Sequence, residues 1–198
     1  MSFIEEKRRE QIVDATIRVI ARQGVAQASL SRIAAEAGIA KSIISYHFAG
    51  KDALFEEVFG SVVARIGRAL APAIGAAATP WDRIAAYIGG QLAYMRGHRD
   101  ELLAIGHISL GHVGTAGTPA YIEASAADEQ ALLRDWLQDG QRSGAFRAFD
   151  PVVMAATISA AVEGALTQWA TDPATDLAHY TSELLALFAR ALRADADG

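Results

Sequence analysis

The sequence predicts an all-α protein of about nine helices, in which an N-terminal three-helix domain with a helix-turn-helix precedes a C-terminal helical domain. Three observations predict this fold class. Apolar residues recur at the roughly 3.6-residue spacing of a helix along most of the chain. No segment alternates apolar and polar residues over β-branched positions, and no Asn-Gly pair marks a hairpin. Glycine or proline separates the periodic segments.

The first three helices are predicted from their apolar faces and from the glycines that follow the first two. Helix 1 is predicted over 5–23, with Gly24 as its C-terminal cap. Helix 2 is predicted over 29–37 and ends at Gly38, and helix 3 is predicted over 41–48. The residues of helix 1 that we expect to face inward are Ile12, Ala15, Thr16, Val19 and Ile20.

Six further helices follow. A longer helix begins at about Gly50 and reaches toward Ala71, and the breaker-rich stretch 72–80 is predicted as the main connection. Asp150 followed by a proline combines an N-cap residue with a first-turn proline, which favours a helix start. The tail 194–198 is expected to fray. The five helices after the connection are predicted over 81–96, 99–112, 118–138, 150–170 and 175–193.

The composition limits the class of protein. The chain has 198 residues, of which 52% are hydrophobic, so it can bury a substantial core. It has no cysteine, which excludes disulfide frameworks, thiolate metal sites and cysteine nucleophiles. Apolar runs fall short of the roughly 18 residues of a membrane helix, and Glu5 and Glu6 precede the first apolar run, unlike a signal peptide. We therefore expect a cytoplasmic bacterial protein with no membrane partner and no cofactor.

Charge is distributed unevenly along the chain. Residues 1–51 hold eight basic and five acidic side chains, a net charge of +3, whereas residues 52–198 hold ten and eighteen, a net charge of −8. A basic N-terminal segment followed by an acidic remainder suits a protein that binds a polyanion through its N-terminal part. An excess of this size is also compatible with ordinary scatter, so charge alone does not decide for nucleic acid.

The segment SLSRIAAEAGIAKSIISYHF has the spacing of a helix-turn-helix. Ile33, Ala34 and Ala37 on its first helix are predicted to pack against Ile44 and Phe48, which lie four residues apart on the second. The small alanines let the two helices cross closely, and the glycine between the helices permits the positive φ of a tight turn.

The face of helix 3 opposite Ile44 is a candidate nucleic-acid surface. At about 100° per residue, this face carries hydroxyl groups, a cation at its entrance and one branched apolar residue. An exposed isoleucine gains nothing in water, but Ile43 can pack against a thymine methyl group in the major groove. Alternatively, Ile43 packs against a neighbouring helix. The residues on or beside this face are Lys41, Ser42, Ile43, Ser45, Tyr46 and His47.

A specific combination of residues extends over positions 12–55. Its most specific part is Tyr46-His47-Phe48 followed by Lys51-Asp52-Ala53-Leu54. This combination resembles the N-terminal domain of the TetR/AcrR transcriptional regulators, whereas the rest of the chain is similar to that family in helix number and length only. The other matching residues are Ile12, Asp14, Ala15, Gly24, Ile33, Ala34, Ala37, Gly38 and Ile39.

The resemblance implies a DNA-binding domain over 1–50 and a helical ligand-binding and dimerisation domain over 51–198. It implies a homodimer that binds a palindromic double-stranded operator through two recognition helices and is released by a small-molecule effector, with repression as the default outcome. Three basic residues near the chain start, Lys7, Arg8 and Arg9, are weaker candidates for DNA contact. The residues that it assigns to DNA are Ser29, Lys41, Ser42, Ile43, Ser45, Tyr46, His47 and Lys51.

The last two predicted helices suit a dimer interface. The helix over 150–170 is apolar nearly all round, which is typical of a helix buried on more than one side. The helix over 175–193 carries a stripe of leucine and aromatic residues. Two such helices from each subunit would form a four-helix interface, as the resemblance also implies. Alternatively, the first of them lies at the centre of a monomer.

Polar residues interrupt the apolar faces of the C-terminal helices. A mostly apolar cavity with a few polar groups is what a small-molecule site needs. A lone histidine or aromatic residue on an apolar face is more often part of the core, and Glu163 could equally lie at a solvated edge or pair across a dimer. The candidate ligand-binding residues are Gln91, Tyr94, Met95, His107, Trp136 and Glu163.

The sequence therefore predicts a ligand-responsive, sequence-specific DNA-binding regulator. An enzyme is not expected, because the chain has no Gly-x-Ser-x-Gly elbow, no phosphate-binding glycine loop and no HExxH motif. The alternative is a helical small-molecule-binding or scaffold protein without DNA binding. Ala40 gives it slight support, because alanine cannot cap the helix that follows.

Overall fold

A computed structural model describes residues 3–111 and 118–193. Within these ranges the chain forms nine α-helices, one 3-10 turn (Val25–Gln27) and no strand, which confirms the predicted all-α class. The predicted break between the sixth and seventh helices and the predicted fraying of 194–198 lie outside the described residues. The helices are α1 (Phe3–Gln23), α2 (Leu30–Ala37), α3 (Lys41–His47), α4 (Lys51–Gly75), α5 (Pro80–Gly97), α6 (Arg99–Gly111), α7 (Ala120–Arg142), α8 (Pro151–Thr171) and α9 (Leu177–Leu192).

Helix α4 continues beyond its predicted end. The prediction placed a connection over 72–80, but α4 passes through Pro72 to Gly75. Proline removes the hydrogen bond to the carbonyl four residues earlier, which here is the carbonyl of Arg68 on an exposed turn where water can satisfy it. The amide of Ala76 then bonds to the Pro72 carbonyl at 3.1 Å and closes the last turn.

Among the described residues, α4 is the one helix long and apolar enough to cross a membrane by length and composition alone. This is weak evidence, because core helices of soluble proteins pass the same test.

The chain forms two compact units. The first comprises Met1–Arg65 with His98–Glu123, and the second comprises Ile66–Gly97 with Ala124–Gly198. This division follows packing. The predicted functional boundary between residues 50 and 51 is a different division and stays a prediction.

In the first unit, α1 packs against α2 and α6, and α2 packs against α3. The inward faces predicted for these helices are confirmed. Ile12 and Ile20 of α1, Ile33 of α2 and Ile44 of α3 are completely buried, and Phe48 is nearly so. The helix-turn-helix is therefore built on one shared apolar core.

In the second unit, α5 packs against α8 and α9. Helix α8 buries one face, which includes Ile158 and Ala165, and exposes an opposite face that carries both apolar and polar side chains. The alternative that placed α8 at the centre of a monomer is therefore wrong for the described chain. Asp150 caps α8, since its carboxylate accepts from the amide of Val152 at 2.8 Å, as predicted.

Helix α7 also extends past its predicted end, from 138 to Arg142. The prediction placed Gly140 in a break, but the residue lies inside the helix. The buried ring of Phe146 occupies the space beside it, and a Cβ at Gly140 would lie 2.0 Å from Phe146 Cδ2. Glycine is required here by close packing rather than by a helix end.

Candidate nucleic-acid interface and ligand site

The turn between α2 and α3 fixes the helix-turn-helix. Gly38 has φ 67° and ψ 33°, the left-handed conformation that glycine adopts without strain. The amide of Ile39 bonds back to the carbonyl of Ala34 at 3.0 Å, so the end of α2 is satisfied within the turn. This confirms the predicted positive φ and directs the chain into α3.

The two helices differ at their N-termini. The Ser29 hydroxyl caps α2 by accepting from the amide of Arg32 at 3.3 Å. Ala40 precedes α3 with an extended backbone and supplies no side-chain cap, as its side chain predicts. The seven-residue helix α3 therefore depends on tertiary contacts for its stability and orientation.

The outer face of α3 presents the side chains predicted for it. Ser42, Ser45 and Tyr46 are exposed, with 76% of Tyr46 accessible, whereas Ile43 is half-buried. The ring of Tyr46 meets that of His47 edge-to-face, with 5.1 Å between centroids. Hydroxyl groups and one apolar side chain thus project from a single helical surface, beside the exposed Lys41 at its start.

Lys51 is tied to the first unit's own backbone. Its ammonium donates to the carbonyl oxygen of Val25 at 2.9 Å and lies 5.1 Å from the centroid of the Phe55 ring. An ammonium has three N–H donors, so this contact leaves donors for a second acceptor.

The basic residues at the chain start divide into two kinds. Lys7 and Arg8 bond to Glu10 and Gln11 within their own helix, at 2.8 and 2.7 Å. Arg9 instead reaches out of α1 and bonds to the carbonyl oxygen of His47 at 2.7 Å. Sequence reasoning grouped the three residues and missed this contact, because the partner lies 38 positions away.

A polar cluster lies within the second unit. One carboxylate oxygen of Glu129 accepts hydrogen bonds from the hydroxyl of Tyr87 and, at 2.9 Å, from that of Ser159. Gln130 donates to the Ser159 hydroxyl at 3.0 Å. Burial, followed by the charge of Glu129, raises the pKa of Tyr87 far above its ordinary value. Glu129 was not among the predicted site residues.

Three of the predicted ligand-binding residues lie near this cluster. The Gln91 side chain acts to lower the pKa of Tyr87 against the larger effects of burial and Glu129. The ring of Trp136 meets that of Tyr87 at 6.3 Å between centroids. Glu163 is an exposed residue of α8, but the surrounding protein shields its carboxyl group from part of the solvent. This desolvation, followed by the charge of Glu129, raises the pKa of Glu163.

The other three candidates have different surroundings. Tyr94 and Met95 are buried on α5 of the second unit. His107 belongs to the first unit, where its Nδ1 atom is 3.1 Å from the carbonyl oxygen of Ile20. All six assignments to a ligand stay predictions.

Within 3–111 and 118–193, no group of three or more histidine, aspartate and glutamate side chains is arranged to hold a metal ion. For Glu129 and Glu163, the same residues provide no basic side chain within ion-pair distance.

Residues 12–58 match the family model described as bacterial regulatory proteins of the tetR family. This match places the N-terminal part of the chain in the TetR family. The HTH-type transcriptional regulator BetI of Brucella anthropi is 36% identical over 85 residues, which are 43% of this chain and 44% of that protein. The match thus spans less than half the length of this curated relative. The BetI proteins that match this chain are HTH-type transcriptional regulators.

Two solved structures share the fold of nearly the whole chain. FadR of Bacillus subtilis, solved in complex with stearoyl-CoA, has a TM-score of 0.82 at 22% identity and covers 91% of this chain and 97% of its own. A candidate transcriptional regulator of Saccharomonospora viridis, solved with choline, has a TM-score of 0.84 at 20% identity and covers 96% of this chain and 100% of its own. At these identities the likeness concerns the fold.

Proposed function

We propose that this TetR-family chain is a ligand-responsive, sequence-specific DNA-binding transcriptional regulator that acts in the cytoplasm, with repression as its direction of control. The observation that carries the proposal is the outer face of α3. Ser42, Ser45 and Tyr46 project from a helix that Ile44 anchors in the core. A helix of this kind fits the major groove, where hydroxyl and apolar side chains read base edges.

The residues around α3 divide into two roles. Lys41, Tyr46, His47 and Lys51 are proposed to contact phosphates, which set affinity and register. Ser42, Ile43 and Ser45 are proposed to meet base edges. Ser29, whose hydroxyl already caps α2, is proposed to contact a phosphate beside that helix start.

The proposed regulator is a homodimer formed through α8 and α9. Val152 and Val153 are 60% and 62% exposed on α8, and Leu187 is 58% exposed on α9. A Cβ added at Gly164 of α8 would meet open space. Apolar side chains and small residues on two neighbouring helices suit close packing against the same helices of a second copy.

The effector is proposed to bind in the second unit beside Glu129. Its carboxylate accepts from two hydroxyl groups but has no basic partner among the described residues. A charge that is partly buried without an opposite charge is costly, so a ligand with a positive charge is favoured over an anion. Choline, found with the S. viridis protein, has such a charge, and stearoyl-CoA, found with FadR, provides an acidic comparison.

DNA binding is tested by selection of duplexes from a random pool with the purified protein. An enriched palindrome, bound with an affinity that falls steeply as salt rises, supports the proposal. The slope is expected to be about 0.9 log units per log unit of salt for each phosphate contact. Failure to enrich any sequence, with binding that is absent or insensitive to salt, would favour the alternative of a helical ligand-binding or scaffold protein.

The dimer is tested by Leu187→Glu, with Leu110→Glu as its control. Leu110 is 70% exposed on α6, so the control places the same charge on a comparable apolar surface. The first variant is expected to sediment as a monomer and the second as a dimer. Two variants of equal mass would contradict the proposed interface.

The effector site is tested by thermal unfolding with choline and with stearoyl-CoA. Choline is expected to raise the midpoint temperature of unfolding of the wild-type protein but not that of Glu129→Gln. The control is Glu183→Gln, which changes an exposed carboxylate of α9 and is expected to keep the rise. A rise with stearoyl-CoA alone would contradict a cationic effector.

A further inference from the structure

Helix α1 meets the C-terminal ends of both helices of the helix-turn-helix. Gln11 donates from Nε2 to the carbonyl oxygen of Ala37, the last residue of α2, at 2.8 Å. Arg9 donates from Nη1 to the carbonyl oxygen of His47, the last residue of α3, at 2.7 Å. The last carbonyls of a helix have no partner within the helix, so α1 satisfies one at the end of each.

The guanidinium of Arg9 is engaged on three sides. Besides the His47 carbonyl, it forms an ion pair with Glu57 of α4, and its carbon Cζ lies 4.3 Å from the centroid of the buried Phe48 ring. Only 24% of the Arg9 side chain is exposed. The planar, five-donor group is suited to hold several partners in one geometry, and here the partners belong to α3, the residue after it, and α4.

Apart from its packing on α2, helix α3 has few other restraints. It is seven residues long, lacks a side-chain N-cap at Ala40 and buries Ile44 alone. A helix this short is marginal without tertiary contacts. A positive charge at its C-terminus also complements the helix dipole. Arg9 therefore holds the end of α3 from which Tyr46 and His47 project.

We infer that Arg9 is a positioning residue for sequence recognition, which orients α3 through the His47 carbonyl and Glu57 instead of contacting a DNA phosphate. The inference rests on the proposed DNA-binding function. It also reassigns a residue that its position near the chain start had suggested for direct DNA contact.

The first test is Arg9→Gln, measured on the duplex that the wild-type protein selects and on a scrambled duplex of equal length. The ratio of the two affinities is expected to fall about fivefold or more, the size of an effect on one base pair. The slope of log affinity against log salt is expected to stay unchanged, because no phosphate contact is lost. Both affinities come from one preparation, so any inactive fraction cancels in the ratio.

The second test is Glu57→Gln, for which the two roles of Arg9 predict different changes in the affinity ratio. If Arg9 positions α3, loss of the Glu57 charge loosens the guanidinium and lowers the affinity ratio. If Arg9 contacts a phosphate, removal of a negative charge beside it strengthens binding to both duplexes by a similar factor and leaves the ratio unchanged. This variant keeps the inference testable if Arg9→Gln fails to fold.

Arg68→Gln is the matched control, since Arg68 is an exposed arginine of α4 to which no role in DNA binding is assigned. It removes the same charge and is expected to leave the affinity ratio unchanged. The inference is overturned if Arg9→Gln keeps the wild-type ratio, or if its salt slope falls by about 0.9. A wild-type protein that selects no duplex would instead contradict the proposed function.

Discussion

The ammonium of Lys51 donates a 2.9 Å hydrogen bond to the carbonyl oxygen of Val25, and thereby joins the first turn of α4 to the 3-10 turn ahead of α2. The family resemblance assigns this lysine to a DNA phosphate. The two roles are compatible, because the ammonium has three donors and the backbone oxygen takes one. The contact therefore fixes the position of the Lys51 ammonium and leaves two of its donors for a phosphate.

Lys51→Ala is expected to weaken binding to selected and scrambled duplexes by a similar factor. A phosphate contact carries no sequence information, so the affinity ratio stays constant while the salt slope falls by about 0.9. Fluorescence anisotropy titrations over a range of salt concentrations measure both quantities. Arg142→Ala, which removes one positive charge from the second unit, serves as control. Full affinity in Lys51→Ala would refute the assignment.

Ile43→Ala is expected to relax discrimination at one thymine of each half-site by about 1 kcal/mol. The side chain is half-buried on α3, so part of it packs within the domain and part is left for the thymine methyl group. Repeating the duplex selection with the variant measures the base preference at each position. Val63→Ala truncates an exposed apolar residue of α4 and is expected to change no preference. An identical profile for Ile43→Ala would show that the residue only packs.

Gly140→Ala is expected to lower the free energy of unfolding by about 1–3 kcal/mol, the usual cost of overpacking. The new Cβ would lie 2.0 Å from Phe146 Cδ2, and the buried ring has little room to move. Gly67→Ala is the control, for which the free energy of unfolding is expected to rise. Gly67 lies on an exposed turn of α4 with open space around its Cβ direction, so alanine should stabilise the helix by about 0.5–1 kcal/mol. Urea unfolding of both variants checks the contrast.

Tyr87→Phe is expected to destabilise the protein at neutral pH by about 1–3 kcal/mol, because Glu129 loses a hydrogen-bond donor in a partly buried site. The pKa of Tyr87 is raised on folding, so its contribution is complete below the ordinary value of 10.0 and is lost as pH rises above that value. The difference in unfolding free energy between wild type and variant should therefore narrow above pH 10.

Denaturant unfolding at a series of pH values measures that difference. Phe shares the ring of Tyr and lacks only the hydroxyl, so the other titrating groups cancel between the two proteins. A difference that stays constant or widens above this pH would contradict the role of the Tyr87–Glu129 hydrogen bond.

Local patterns predicted most of the elements and the inner face of each helix in the first unit. Ile33 and Ile44 are buried and Tyr46 is exposed because periodicity places them so, whatever the partner helix is. The helix ends at Pro72 and Gly140 were wrong for a shared reason. Proline and glycine end a helix only when the surroundings do not offset their cost to helix stability. Pro72 lies on an exposed turn of α4, where water can bond the freed carbonyl, and Gly140 leaves the space that the Phe146 ring fills.

The sequence by itself determined the all-α fold, the helix-turn-helix and its outward side chains, since these follow from spacing along a single helix and from the conformational preferences of a few residues such as Gly38. Only the tertiary structure decided which charges are engaged inside the protein. Arg9 meets Glu57, and Glu129 meets Tyr87, across 48 and 42 positions of chain. Contacts of that range arise when helices pack, and no local pattern encodes them.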